Sequence, residues 1–538
     1  MPQASGELDM ALVPSVQGYI GKLPQELRLQ VCELLPGQAL KNLGLANKRW
    51  RKSSSTVLWK TFSSHLQERG RDFDALLLSP PNGFLDNVKN LKITSFDVSE
   101  KVLQLIAVLT QNTLRTVELP TGNPRTLGLL IRSQNLIEEL TYQHPGLQHS
   151  RPDSRFLVGN LNKLRELTIT PAKDDDFNAW LLNTPALETL NIAHYNGFKP
   201  SNPELRDLAS LKRWKCPSTF IPLRLRHLRL SYLNLFDGPY HLGKITDLQS
   251  LTDLEISYCI NVSSFLEHLS IEYSALDSFA LKSLCFTQSF EEPDLLKFLN
   301  QFIGCFSGLE RLFVATRNPQ HVNVEKMCRH GQTLRLLHLD PLYRPSRLPL
   351  SEARNHCYTA TELETLLLGC PKIEELGVHV AAIDIRSMTC GVPYLFPQEQ
   401  NFAKALDVIA RFPLLRSLRL THLLATWSNV EFGNPVEHAV QYSQLATEVL
   451  RYLAARSSPI EIYANSPTVT PGYLDMAKDF QGHQWPHYYY VRGLMTLPSR
   501  GRNHTEIVAV PVKEEDMAGY LQKTTILLRN EPIDEVIW

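Results

Sequence analysis

The sequence lacks several features that would assign it to common protein classes. Its 538 residues include nine cysteines, an odd number without a C-x-x-C pair, which argues against a disulfide framework and predicts reduced thiols. All apolar runs fall far short of the ~20 residues that a membrane-spanning helix needs. The first twenty residues contain neither Lys nor Arg, so they lack the basic start of a secretory signal. We therefore expect a cytoplasmic and/or nuclear protein without a membrane partner.

An excess of one charge is also missing. Lys and Arg number 55, and Asp and Glu number 55, so the formal net charge is +0. This balance removes the simplest electrostatic argument for a polyanion, and we predict no nucleic-acid partner. With 43% hydrophobic residues the chain is able to bury a large core. At ~150 residues per domain its length predicts three or four domains, unless a repeat array accounts for it.

The motifs of common enzyme families are absent. The sequence contains no phosphate-binding P-loop, no dinucleotide-binding G-x-G-x-x-G, no G-x-S-x-G and no H-E-x-x-H. His483 and His487 are separated by Pro486, which argues against a helical metal pair. We predict a protein that is not an enzyme, with no catalytic residue, no cofactor and no metal. A hydrolase remains as an alternative, and it requires His487, Tyr488 or Asp516 to converge in a pocket.

Residues 19–66 have the pattern of a small helical module. Pro24 precedes apolar residues at helical spacing, which predicts a first helix that ends at Pro36-Gly37. The pattern then predicts one second helix from about Gln38 to Lys52, with Trp50 on its apolar stripe. We interpret the basic run from Lys48 to Lys52 as a solvated face. A third apolar group closes the module: Val57, Leu58, Trp59 and Phe62.

This module resembles the F-box. The elements that carry the resemblance are Leu23-Pro24-x-Glu26-Leu27, Leu34-Leu35-Pro36, Leu40-x-x-Leu43, the run from Asn47 to Arg51, and Leu58-Trp59. The resemblance implies docking on the Skp-type adaptor of a cullin ubiquitin ligase. The residues that it implies for the adaptor contact are Leu23, Pro24, Leu27, Val31, Leu35, Leu43 and Trp50. The alternative is that these residues form only the core of a helical cap on a longer array.

A repeat follows the helical module. The pattern L-x-x-L-x-L, with other apolar residues allowed, matches twelve times between Val88 and Leu420, and seven of the eleven intervals are 23 to 28 residues long. Each match predicts a short strand, and apolar helical segments lie between several of them. The pattern predicts an α/β leucine-rich-repeat solenoid, a horseshoe, over residues 85–463.

Residues between the inward leucines of each strand should face the concave side. Their charges change sign every repeat or two, which favours a protein substrate with its own mixed charges over a polyanion. We predict substrate contacts from these side chains: Arg229, Asp253, Glu255, Arg311, Phe313, His338, Asp340, His379 and Arg419.

Residues 464–538 lack the repeat and contain strand-like segments, among them Thr524 to Arg529, so we predict a capping element. The order of F-box, repeats and tail is similar to F-box receptors with leucine-rich repeats in filamentous fungi. That similarity implies the substrate-recognition subunit of a Skp-cullin-F-box (SCF) ubiquitin ligase, with an unknown protein substrate. The alternative is an interaction scaffold that has no role in a ligase.

Overall fold

A computed structural model describes most of the repeat-bearing chain and leaves gaps between its elements. The chain divides into two compact units, residues 1–169 with 179–187, and residues 170–178 with 188–538. The described residues are 23–46, 48–64, 79–81, 83–93, 99–119, 124–143, 161–170, 181, 183–193, 222–235, 246–275, 280–288, 292, 294–316, 321–341, 357–381, 383, 400–421, 435–466, 488–499 and 502–512.

Three helices form the start of the first unit: α1 (Gln25–Glu33), α2 (Gly37–Ala46) and α3 (Lys48–Leu58). The first predicted helix is confirmed, but the single helix predicted from Gln38 to Lys52 is wrong. A straight helix would separate Leu40 from Trp50 by about 15 Å along its axis. The division into α2 and α3 instead brings both side chains into one core with Cys32.

The rest of the first unit is a ladder of parallel strands in chain order. Strand β1 pairs with β2, β2 with β3, and β3 with β4. The strands are β1 (Thr61–Ser64), β2 (Asn90–Ile93), β3 (Thr116–Leu119), β4 (Glu139–Gln143) and β5 (Glu166–Thr170), and the helices between them are α4 (Phe84–Asn87), α5 (Ser99–Val108) and α6 (Pro124–Ser133).

The second unit continues the same pattern, with each strand paired to the next in parallel from β6 to β14. The strands are β6 (Thr189–Ala193), β7 (His227–Ser231), β8 (Asp253–Ser257), β9 (Ser283–Gln288), β10 (Arg311–Thr316), β11 (Leu336–Pro341), β12 (Glu375–Val378), β13 (Ser417–Thr421) and β14 (Ile462–Ser466). The helices are α7 (Val262–Ser274), α8 (Leu295–Cys305), α9 (Val324–Cys328), α10 (Ala360–Gly369), α11 (Gln400–Ile409) and α12 (Pro435–Ala454).

All twelve strands predicted from the repeat are confirmed, because each match coincides with one strand from β2 to β13. The leucines also stay in register: Leu254 lies opposite Leu228 and Leu284, and Leu312 lies opposite Leu284 and Leu337. These leucines are buried, so the inward face of each strand follows from its sequence.

An antiparallel hairpin follows the last parallel strand. Its strands are β15 (Tyr488–Ser499) and β16 (Arg502–Pro511), and β15 pairs with β14. Helix α12 covers the outer edge of β16: Arg451 Nε donates to the Ile507 carbonyl at 2.9 Å, and the Ala509 amide donates to Thr447 Oγ1 at 3.1 Å. These bonds occupy edge groups that another chain would otherwise pair with. The strand predicted near Thr524 lies outside the described residues.

No helix in the described part of the chain combines the length and the apolar character needed to cross a bilayer.

Candidate functional site

Helix α1 has two apolar faces, and one of them presents exposed side chains. Leu27, Val31 and Leu34 follow the spacing i, i+4 and i+7, which places them on one side of the helix and its C-terminal cap. They are 45%, 38% and 85% exposed. We call these three residues the α1 stripe. Exposed large apolar side chains grouped on one helix face mark an interaction surface.

The opposite face of α1 builds the core of the module. Cys32, Leu40 and Trp50 form that core, and burial raises the pKa of the Cys32 thiol. Arg28 on α1 also joins α3 to α1, since its Nη1 donates to the Arg49 carbonyl at 2.7 Å. Partly buried apolar side chains complete the cluster: Leu23, Leu35, Leu43, Val57 and Leu58.

The seven predicted adaptor-contact residues therefore divide into two groups. Leu27 and Val31 face outward, and Pro24 is exposed directly before α1. Trp50 is only 1% exposed, so in this structure it stabilises the module from inside. Its position results from the start of a new helix at Lys48, which the sequence pattern did not predict. The other residues that pack in the core are Leu23, Leu35 and Leu43.

Two exposed leucines were missing from the predicted contact set. Leu34 belongs to the α1 stripe, and Leu45, 78% exposed, lies near the end of α2. A sequence signal existed for both. Leu35 and Leu43 pack in the core. Leu34 comes one position before Leu35, and Leu45 comes two positions after Leu43, so each lies on another side of the helix.

The strand side chains on β7 and β8 form an exposed, ion-paired surface. Arg229 Nε lies 3.1 Å from Glu255 Oε1. Asp253 accepts from both sides, with His227 Nδ1 at 3.1 Å and Arg311 Nη2 at 2.7 Å. Arg311 reaches Asp253 from β10, past Ser283 on β9, because the strands are in register. We call these residues the β7–β8 face, which includes Arg311 because its side chain reaches Asp253 from β10: His227, Arg229, Asp253, Glu255 and Arg311.

The sequence predicts that the contact residues of the later strands are exposed, like those of β7 and β8. The structure differs in their burial. Five side chains are buried: Phe313, His338, Asp340, His379 and Arg419. This burial corrects the predicted exposure of these five side chains; the substrate contacts of Arg229, Asp253, Glu255 and Arg311 stay a prediction. The physical reason is that these later strands are buried on both faces, as all six residues of β9 illustrate.

Close packing accompanies this burial. The rings of Phe313 and His338 stack with centroids 4.5 Å apart, and Phe313 also packs with Cys285 and Ala315. Gly377 lies opposite His338, and a Cβ on this glycine would lie 2.5 Å from His338 Nδ1. The row therefore has no room for another side chain beside His338.

A charged ladder at the start of the second-unit strands was also missed. From Arg226 to Glu461, the residue after the first apolar residue of each repeat donates its backbone N–H to the carbonyl of the equivalent residue in the preceding repeat. Ion pairs join Lys282 to Glu310 at 2.9 Å and Arg335 to Glu374 at 3.8 Å. Opposite charges on neighbouring strands stabilise their pairing. The signs alternate along Lys282, Glu310, Arg335, Glu374, Arg416, Glu461 and Arg492.

Of the three residues that the hydrolase alternative requires, the structure describes only Tyr488. His487 and Asp516 lie outside the described residues, and Tyr488 begins β15 opposite Asn465. Within the described ranges, no group of three or more His, Cys, Asp or Glu is arranged to hold a metal ion.

Comparison with known protein families gives one match. The model of the F-box-like family matches residues 20–65, which contain α1, α2 and α3. A search of the curated proteins found no match to the chain. F-box domains bind Skp-type adaptors, so the match implies an adaptor-binding role for these helices. The N-terminal helical module is an F-box-like domain, and this supports an F-box protein.

Proposed function

We propose that this chain is the substrate-recognition subunit of an SCF ubiquitin ligase. In this proposal the F-box-like domain binds a Skp-type adaptor and, through it, a cullin. Leucine-rich repeats of the filamentous-fungal type hold the protein substrate, and residues 464–538 cap the repeats. The chain itself supplies no catalytic group, since transfer of ubiquitin belongs to other subunits.

The observation that carries the proposal is the α1 stripe. Helix α1 already buries Cys32 and packs Leu35 in the module, yet it keeps a second apolar face in water. Leaving such residues exposed gains nothing for the isolated domain, whereas burying a leucine contributes about 1.5–3 kcal/mol. A partner with a complementary apolar groove accounts for this arrangement, and the F-box-like match supports a Skp-type adaptor as that partner.

The repeat strands support the repeat part of the proposal, since they pair in register from β1 to β4 and from β6 to β14. Intervals of 23 to 28 residues, parallel pairing in chain order and helices between strands are the features of a leucine-rich-repeat solenoid. The β7–β8 face is the substrate surface that we favour, because its charged groups reach solvent. Its cations and acids are paired with one another, which favours a substrate of mixed charge over a polyanion.

The adaptor contact is tested by truncating the α1 stripe. We expect the triple variant Leu27→Ala, Val31→Ala and Leu34→Ala to lose adaptor binding, because truncating a central interface residue costs ~2 kcal/mol or more. The thermal midpoint should stay near that of the unmodified protein, since these side chains are exposed. The measurement is a titration of purified full-length chain with a recombinant Skp-type adaptor.

A matched control carries three equally conservative truncations of exposed apolar residues elsewhere: Ile271→Ala, Leu368→Ala and Leu414→Ala. This control should bind the adaptor like the unmodified chain. Adaptor binding that survives in the α1 stripe variant would contradict the proposed contact. A ligase subunit should co-purify with a cullin, and only when the adaptor is present. A scaffold outside the ligase should not co-purify with a cullin.

A further inference from the structure

Two free cysteines meet where two successive helices of the second unit end. Cys328 is the last residue of α9, and Cys370 directly follows α10 as its C-cap. Cys328 Sγ lies 3.7 Å from the Thr365 carbonyl oxygen of α10, and Cys370 Sγ lies 3.7 Å from the Met327 carbonyl oxygen of α9. Each thiol therefore lies against the helix that carries the other thiol.

Two glycines allow the helix ends to approach this closely. A Cβ on Gly369, the residue before Cys370, would overlap Cys328 Sγ. A Cβ on Gly331 would overlap the carbonyl oxygen of Gly369. Glycine is the residue that permits such close approach, because it has no side chain to displace the neighbouring atoms. The meeting of the two cysteines is therefore fixed by closely packed backbone.

The two thiols differ in their environment. Cys328 is partly exposed, whereas Cys370 is completely buried. Burial raises the pKa of the Cys328 thiol, and a hydrogen bond with the Cys370 side chain opposes that rise. Burial and the neighbouring Cys328 together raise the pKa of Cys370 to about 12. Cys328 is thus the thiol that loses its proton first and that solvent reaches, and Cys370 lies behind it.

Cys305 provides a comparison at the end of α8. It is also partly exposed, and burial raises its pKa to about 11. Its Sγ lies 3.0 Å from the Phe302 carbonyl oxygen, and its side-chain hydrogen-bond partner is Ser274. Oxidised Cys305 would therefore meet a hydroxyl group, whereas oxidised Cys328 meets a second thiol.

We propose that Cys328 and Cys370 are a thiol-oxidation site that hydrogen peroxide converts into a reversible disulfide. The inference goes beyond the proposed function and does not depend on it. Cys328 is the attacking thiol and Cys370 the resolving thiol, in the arrangement that lets a sulfenic acid condense to a disulfide. Because burial leaves little Cys328 thiolate at neutral pH, the site reacts slowly and responds to sustained oxidation.

The chemistry balances with hydrogen peroxide as the oxidant. The Cys328 thiolate attacks a peroxide oxygen, so the S–O bond forms while the O–O bond breaks, and the released hydroxide is protonated to water. Cys370 then attacks the Cys328 sulfur: the S–S bond forms, the S–O bond breaks, and a second water leaves. The two sulfurs lose two electrons, which the peroxide accepts. Two molecules of glutathione return both thiols and form glutathione disulfide.

The disulfide would tie α9 to α10, whose repeats contribute the paired strands β11 and β12. A cross-link between residues far apart in the chain stabilises mainly by restricting the unfolded chain. We therefore expect peroxide treatment to raise the thermal midpoint of the second unit.

The test maps cysteine oxidation in the unmodified full-length chain. The reduced protein is treated with excess hydrogen peroxide, the remaining thiols are alkylated, and a digest made without reductant is analysed by mass spectrometry. We expect a linked pair of peptides that joins Cys328 to Cys370, lighter by two hydrogen atoms than the reduced peptides together, and its loss after glutathione treatment. Peroxide treatment in urea should abolish the preference for this pair, because the contact depends on the fold.

The variant Cys370→Ser removes the resolving thiol. We expect loss of the disulfide, accumulation of sulfenic acid on Cys328 that dimedone labels, and a thermal midpoint that peroxide no longer raises. The matched control is Cys305→Ser at the end of the preceding helix. It should form the disulfide and show the same rise in midpoint as the unmodified chain.

The mapping in the unmodified chain decides the inference even if a variant fails to fold. Cys328 and Cys370 that both remain as thiols when Cys305 has been oxidised would overturn it, and so would a disulfide between Cys328 and a different cysteine. Dimedone labelling of Cys370 instead of Cys328 would contradict the assigned roles. None of these measurements involves the adaptor, so their failure leaves the proposed function unaffected.

Discussion

Strands β7–β8 and β9–β10 of the second unit share the same repeat and the same register. They differ in the burial of the strand face opposite the inward leucines. On β7 and β8, burial alternates, and Arg229 and Glu255 meet as an ion pair at the surface. On β9, every side chain is buried, and β10 is buried in five of its six residues. The inward leucines are equivalent in both stretches. The difference lies entirely in the residues between them.

The composition of those residues fits the difference. The row that contains Arg229 and Glu255 continues in register as Cys285 and Phe313, which are apolar. It then reaches His338, which stacks on Phe313. A solvated strand face thus becomes a packed one within a few ångströms. We conclude that one ladder provides both an accessible surface and a second internal core.

The largest expected effect comes from removing the centre of that internal core. Phe313→Ala should reduce the free energy of unfolding by about 3–5 kcal/mol, because it deletes a buried ring and its contacts with Cys285 and His338. Urea denaturation followed by circular dichroism measures the change. The control, Arg229→Ala, breaks an exposed ion pair and should cost at most about 1 kcal/mol. Similar costs for the two variants would abolish the distinction between the stretches.

The next largest expected effect is a loss of stability at low pH, caused by the buried side chain of His330. Burial lowers the pKa of His330 to about 4. The Leu309 amide donates to its Nδ1 at 3.2 Å, and its Nε2 lies 2.9 Å from the Ile303 carbonyl. Because the folded pKa is below the unfolded value, the neutral ring contributes its full stability above about pH 6.5, and that contribution is lost as the pH falls towards 4. The loss at pH 4 should be on the order of 3 kcal/mol.

The matched variant for this pH effect is His330→Gln. In the first unit, Gln134 makes the equivalent bridge, with Oε1 accepting from the Leu114 amide at 3.0 Å and Nε2 donating to the Thr110 carbonyl at 2.9 Å. We expect His330→Gln to fold at neutral pH and to lose less stability between pH 6.5 and 4. Urea midpoints measured across this pH range test it. A pH dependence identical to that of the unmodified protein would contradict the role of His330.

The smallest expected effect is an overpacking change in the same row. Gly377→Ala should cost about 1–3 kcal/mol, because the added Cβ would lie 2.5 Å from His338 Nδ1. Gly37→Ala is the control, since a Cβ there meets no atom within 4 Å. Thermal unfolding of both variants gives the comparison. A Gly377→Ala protein as stable as its Gly37→Ala counterpart would show that the row around His338 has spare room.

The strand ladder was predictable from the sequence, whereas the exposed surfaces were only partly predictable. The pattern i, i+3 and i+5 located every strand from β2 to β13, because i+3 and i+5 lie on the same face of a strand and the apolar residue at i lies just before it. The same reasoning failed for His338 and Arg419. A polar residue between two leucines predicts a solvated position, and nothing local in the sequence indicates that the second face is also covered.

The F-box-like domain gives the same lesson on a smaller scale. Its motif was evident from Leu23-Pro24 to Trp59, but the outward position of the α1 stripe depends on how α1 sits against α2 and α3. The break before Lys48 decides that Trp50 is internal and that Leu45 is exposed. Gly44 and Asn47 are weak helix formers and Asn is favoured directly before a helix, so the sequence contains a local signal for this break that the apolar pattern alone did not show.

The sequence by itself determined the order of the elements and the inward face of each strand, because periodicity is a local property. Only the tertiary structure decided which second faces are covered, which apolar side chains remain in water and which cysteines meet. These properties depend on contacts between residues far apart in the chain. The distinction between the β7–β8 face and the packed row at Phe313 is therefore a property of the folded ladder.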